Sequence, residues 1–210
     1  MKSPLALSLC IITILTFSCK SKSDKPGALE SLSNLKNLAE NVVKETKQSS
    51  DRWEERKAKG DTIAMGYKEL QAYLPEISGY TTPEGPKGSQ MNTPGLGTWS
   101  QAEQNYVNGD KKIEISMIDY NAAQNTFLGL TAMYGMGMSF EDDDKKQAPI
   151  DLGMKDVNAY ETIYKKDKRA ELVLVVSQRF IINVKTEGEN DESFITSVAK
   201  SMRLNDLSSK

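Results

Sequence analysis

Asp119, Glu161 and Arg179 stand where apolar, strand-like runs meet polar ends, and they are the first residues to ask about chemistry. Two carboxylates serve as acid and base only if the fold brings them together and separates their pKa values. A cross-sheet ion pair is the plainer expectation for the trio. Two Ser-x-x-Lys spacings, Ser33-Asn34-Leu35-Lys36 and Ser197-Val198-Ala199-Lys200, set serine and lysine on one helical face. The SDN and KTG partners of Ser–Lys enzymes are absent, so two amphipathic helices account for both. Met133, Met136 and Met138 are the metal candidates, because thioethers are soft ligands suited to Cu(I). Methionine on an apolar helix ordinarily fills irregular core space instead. Glu141-Asp142-Asp143-Asp144 offers oxygens for calcium. As an EF-hand loop starting at Asp142 it places Lys146 fifth and Gly153 twelfth, where a bidentate glutamate is required. A solvated acidic loop neutralised by Lys145 and Lys146 is the expectation there.

Missing residue types exclude more. There is no histidine, which removes His-dependent triads, HExxH zinc sites and the commonest general base at neutral pH. No phosphate-binding GxxxxGK[ST] loop, complete GxGxxG or GxSxG elbow occurs. No cofactor is expected. A net charge of −2 argues against a nucleic-acid partner. The charged fraction of 27% and hydrophobic fraction of 38% are those of a globular domain.

The chain carries two cysteines, Cys10 and Cys19. Lys2 precedes an uncharged apolar run, Leu5 to Phe17, too short to span a bilayer as a stable helix. The run ends Leu15-Thr16-Phe17-Ser18-Cys19 and turns polar at Lys20. This resembles the lipobox of bacterial lipoproteins, with Phe17 where alanine or glycine is commoner. The resemblance implies a signal peptide over 1–18, cleavage before Cys19 and acyl chains on its sulfur. Cys10 would leave with the leader, so no disulfide is expected. Multiple acyl chains, at about 0.8 kcal/mol per buried CH₂, would hold the protein on a membrane of the cell envelope.

The elements that must position these residues follow from periodicity. Residues 19–28 form a short tether around Pro26-Gly27. Leu29, Leu32, Leu35, Leu38, Val42 and Val43 recur at helical spacing, and the helix extends toward Lys57. Residues 29–60 are therefore expected to form a long amphipathic spacer, and 61–207 the folded domain. A second helix is expected from an Asp61 N-cap through Ile63, Met65, Tyr67 and Leu70 to Leu74, stopped by Pro75. Gly79 to Gly97 is a long loop or one short strand between loops. Trp99–Val107 and Lys112–Tyr120 form a hairpin about Asn108-Gly109-Asp110. A helix over Ala122–Met138, with Phe127, Leu130 and Tyr134 inward, leads to a charged loop at Glu141–Lys146. Strands at 159–165, 170–176 and 180–184 precede a helix from Asp191. Strand, strand, helix thus occurs twice, suggesting a pseudo-repeat.

The fold class expected is α+β, a single antiparallel sheet with helices packed on it. The run Tyr106…Gly109-Asp110-Lys111-Lys112…Ile118-Asp119-Tyr120, then Ala159-Tyr160-Glu161 and Arg179-Phe180-Ile181-Ile182-Asn183-Val184, resembles small exported bacterial domains. The layout over residues 70–207 is also similar to the PsbP/Mog1-type α-β-α sandwich. That resemblance implies a fold and no activity.

Three readings follow. The first is a non-enzymatic module, lipid-anchored and binding an envelope protein through the 29–57 helix. The second is a small-ligand binder, with the Gly79–Gly97 loop as a lid and Tyr80, Trp99 and Tyr106 as aromatic walls. The third is a histidine-free hydrolase, which requires carboxylates or Ser and Lys within hydrogen-bond reach of each other.

Overall fold

Leu172-Val173-Leu174-Val175-Val176 and Phe180-Ile181-Ile182 are unbroken apolar runs, and in antiparallel strands such runs require burial on both faces. In the computed structural model, which describes residues 28–94, 97–135 and 137–210, they occupy the middle of one sheet. The elements run α1 (Ala28–Ala58), α2 (Tyr67–Gln71), β1 (Lys87–Thr93), β2 (Gly97–Asn108), β3 (Lys111–Asp119) and α3 (Gln124–Gly135). They continue with β4 (Phe140–Glu141), β5 (Lys145–Ile150), β6 (Val157–Tyr164), β7 (Arg169–Val176), β8 (Phe180–Glu187), α4 (Glu192–Ser201) and α5 (Leu204–Ser208). The leader over 1–18, the lipobox with Cys19, the tether up to residue 27 and Met136 lie outside the described residues.

All neighbours in the sheet are antiparallel, in the order β1-β2-β3-β8-β7-β6-β5-β4. The fold is α+β, with helices on both faces. On one face Ile113, Ile115 and Met117 join Leu172, Leu174 and Ile182 under α2, α4 and α5, which bury Leu70, Ile195, Val198, Leu204 and Leu207. On the other, Val175, Ile181, Val173 and Ile118 lie under Phe127, Leu128 and Tyr134 of α3, and α1 packs on α3. Alternation along β7 and β8 divides the residues between the two layers.

Local chemistry explains where elements stop. The β2–β3 turn falls at Gly109, in the left-handed conformation. Asp191 caps α4 by accepting from Ser193 N at 2.8 Å. Gly97 starts β2 with φ near +93°, and a Cβ there would sit 1.6 Å from the Ala122 carbonyl oxygen. No other residue fits so close to that backbone.

Several expectations are corrected. The second helix shrinks to five residues, Tyr67–Gln71, because Asp61 turns to Arg179 instead of capping and Ile63 is 68% exposed. The helix over 122–138 stops at Gly135, with Leu130 exposed. The charged loop at 141–146 is a β4–β5 hairpin, closed where Asp142 accepts from the Asp144 and Lys145 amides. The pseudo-repeat does not hold, since α3 and α4 cover opposite faces. The C-terminal end of the 29–60 segment lies against the domain, with Ser49 and Arg56 buried. No helix among the described residues is long and apolar enough to cross a membrane.

Candidate functional site

α1 approaches the domain on a stripe that is polar after Val42, with Glu45, Ser49, Arg52 and Arg56 spaced three and four apart. Gln124 at the start of α3 donates to Ser49 Oγ at 2.5 Å. Arg52 pairs with Asp156. Arg56 donates through Nε to Asn121 Oδ1 at 2.7 Å and reaches the Ser177 and Gln178 carbonyls at 3.4 Å. Burial, and then the neighbouring Arg179, lower the Arg56 pKa. Asp156, Ser177 and Gln178 are three of the four non-glycine residues with left-handed φ among the described residues. Ser177 and Gln178 are the central pair of the β7–β8 turn, closed where Arg179 N donates to Val176 O, and paired positive φ at such positions usually falls to Asn-Gly. The helix thus grips a strained corner of the sheet.

Beside this grip lies the ion pair anticipated from the sequence. Arg179 donates to both oxygens of Asp119, Nε to Oδ1 at 2.9 Å and Nη2 to Oδ2 at 2.7 Å. Its Nη1 reaches Asp61 Oδ2 at 2.9 Å. The backbone amides of Asn121 and Met65 also donate to Asp119, at 2.8 and 2.7 Å. Four donors fill the carboxylate's acceptor capacity, so it has none left to take a substrate proton. Burial alone would lower the Arg179 pKa, but Asp119 and Asp61 outweigh it and hold the group above its usual value. Arg56, Arg179, Asp61 and Asp119 sum to zero charge.

Glu161 does not join them. It projects to the α4 face from β6, three strand spacings or about 14 Å from β3. It is fully buried, and both carboxylate oxygens lack a hydrogen-bond partner among the described residues. Lys146 lies 3.7 Å away and also contacts Glu192 at 3.0 Å. Desolvation, then Glu192, push the Glu161 carboxyl up against the pull of Lys146.

The anticipated aromatic pocket does not assemble. Trp99 and Tyr106 are seven positions apart on β2, an odd number, so they face opposite sides of the sheet. Tyr106 is buried with its hydroxyl donating to Pro75 O at 2.8 Å, and burial pushes its pKa up. Tyr80 packs on Phe194, ring centroids 5.9 Å apart, on that same side. Trp99 packs in the α3 layer. The lid segment contributes β1, an edge strand paired to β2. Of the methionine candidates, Met138 is exposed, Met133 lies in α3 with its side chain outside the described set, and Met136 is outside it altogether. Among the described residues no group of three or more His, Cys, Asp or Glu is placed to hold a metal. Ser197 spends its hydroxyl on the Phe194 carbonyl, so its Ser-x-x-Lys pair is ordinary helix surface.

What the structure does form is a half-enclosed cavity of about 450 Å³ between the sheet and the α1–α3 pair. β6 and β7 supply the floor through Asn158, Tyr160, Val173 and Val175, which share a face because Asn158 pairs with Val175 and Tyr160 with Val173. α3 supplies Leu128, Thr131 and Tyr134 as one wall. α1 supplies Val42, Glu45 and Thr46 as the other. Gln178 closes one end by donating to Glu45 Oε2 at 3.2 Å. Tyr134 and Tyr160 stack at a tilt, centroids 5.4 Å apart, and the Tyr160 hydroxyl donates to Met138 O at 2.9 Å. Burial pushes the Tyr134 phenol up, so it stays neutral near physiological pH.

No known protein family matches the chain. No curated protein matches it. An X-ray structure of an uncharacterized protein from Mycobacterium smegmatis is similar at 8% identity over 65% of this chain and 94% of its own, with a TM-score of 0.34.

Proposed function

We propose that the domain is a non-enzymatic binding module that holds a small, largely apolar ligand between α1, α3 and the sheet. The observation that carries this reading is the cavity of about 450 Å³, within the size range of small-molecule sites, where Leu128, Val173 and Val175 supply apolar surface and Thr131, Asn158 and Glu45 supply polar groups. The carboxylates singled out from the sequence do not converge as a catalytic set would. Asp119 is saturated by hydrogen bonds and Glu161 faces the opposite layer. The lipobox-like segment ending at Cys19 supports the further proposal that the module is acylated there and works beside a membrane of the cell envelope.

The test is native mass spectrometry of the protein purified from its own cells, beside a Thr131→Trp variant whose added ring fills the cavity. A co-purifying small molecule on the wild type, lost in the variant, is the expected result. An equal or absent adduct on both overturns the reading. Metabolic labelling with palmitate tests the anchor, and label that persists in a Cys19→Ala variant contradicts it.

A second reading, an envelope protein as partner, has one feature of its own in support. β1 is an exposed edge strand with an outer side unpaired among the described residues, the kind of edge that accepts an added strand. Crosslinking from intact cells with a proline at Gln90 discriminates, since a strand-adding partner would be lost and a ligand in the cavity kept.

A further inference from the structure

From the charges around this cavity we infer that its ligand is cationic: an apolar body carrying a protonated amine or a quaternary ammonium. The inference rests on the proposed ligand-binding role and deepens it.

Glu45 and Asp151 line the cavity, and no Lys or Arg does so among the described residues. Neither carboxylate is ion-paired within the described chain. The hydrogen bonds that reach them there come from Gln178 to Glu45 and from Gly153 N to Asp151 Oδ1. An ionised carboxylate accepts about four hydrogen bonds, so both keep capacity for a donor from the ligand. The contrast with Asp119 is direct, since that carboxylate has an arginine and two amides of its own. The Tyr134 and Tyr160 rings line the same cavity, from the α3 wall and the floor, and the bond from Tyr160 to Met138 fixes the orientation of one of them. Aromatic faces held in place attract cations, more so where water is thinned. An anionic ligand would meet both carboxylates with no Lys or Arg lining the cavity to balance them, whereas a cation is attracted to both, more to the half-buried Glu45 than to the exposed Asp151.

Equilibrium dialysis of the full chain in a non-ionic detergent, with protein-free micelles as control, tests the inference on three probes of one body. These are adamantylamine, adamantanol and adamantane carboxylate. The amine is expected to bind about tenfold more tightly than the alcohol, and the carboxylate more weakly than either. In a Glu45→Gln/Asp151→Asn double variant the ratio of amine to alcohol affinity falls to near one. Equal binding of amine and alcohol by the wild type overturns the cationic assignment and keeps the cavity. So does a preference for the amine that survives in the double variant. If none of the three binds above the micelle control, the cavity reading falls with it.

Discussion

Arg56 donates through Nε to the Asn121 amide oxygen at 2.7 Å, and Asn121 in turn donates through Nδ2 to Asp61, which pairs with Arg179. That chain of contacts ties the N-terminal helix to the ion-paired end of the sheet. It fixes the helix that forms one wall of the cavity, so helix docking and ligand binding are expected to fail together.

Arg56→Ala removes a hydrogen bond from a buried charged group and leaves Asn121 without its donor. The expected loss is about 2 kcal/mol, or about 4–8 °C in Tm for a domain of this size. Val43, on the same helix but 67% exposed, serves as control; its alanine variant is expected to stay within about 0.5 kcal/mol of wild type. Hydrogen exchange on both variants checks the point, with faster exchange over residues 45–56 in Arg56→Ala. Equal protection in the two would mean that the polar stripe does not hold α1.

Asp119 and Arg179 are expected to behave as one unit. Asp119→Ala or Arg179→Met alone strands a buried charge and is expected to cost about 3–5 kcal/mol. The double variant strands neither partner and should cost much less than the sum. Urea denaturation of the four proteins measures the coupling, and additive losses would show that the pair is energetically independent.

Glu161 makes stability fall as pH rises. Its carboxyl is raised by desolvation first and by Glu192 second, so the folded chain binds the proton more tightly than the unfolded one. Its stabilising contribution is complete below the ordinary glutamate pKa of about 4 and is lost as pH climbs through the elevated folded value. Glu161→Gln removes the cost of a buried charge with no hydrogen bond, and is expected to raise stability at pH 7 by about 1 kcal/mol. Near pH 4 the advantage should vanish. Thermal melts of both proteins across that range decide the matter, and a variant less stable than wild type at pH 7 would show that the contact with Lys146 outweighs desolvation.

The central strands were legible because both their faces are buried. Leu172 to Val176 and Phe180 to Ile182 had to be interior, and Asp191 marked the start of α4 by its cap chemistry. The Asp119–Arg179 pair could be suspected, but not its separation from Glu161, because strand order is not written in periodicity. The docking of α1 was not legible, for a physical reason. Patterns built on apolar residues assign Ser49, Arg52 and Arg56 to solvent, whereas here hydrogen bonds hold all three against the domain and Ser49 and Arg56 are buried. The surviving signal was spacing, since those positions continue the stripe that Val42 and Glu45 begin. The cavity was not legible at all. It arises from how far α1 and α3 stand off from Tyr160 and Val175, a distance that no residue type encodes. Tyr80, Trp99 and Tyr106 looked like pocket walls by composition, and parity along β2 separates them.

Photolabelling the full chain with adamantyl diazirine, followed by peptide mapping, tests the ligand cavity most directly. Labels are expected on α3 within 128–134 and on β6 and β7 at Asn158, Tyr160, Val173 or Val175, and they should disappear in Thr131→Trp. Labels concentrated on the α2, α4 and α5 layer, or labels at the cavity unchanged by Thr131→Trp, would contradict it.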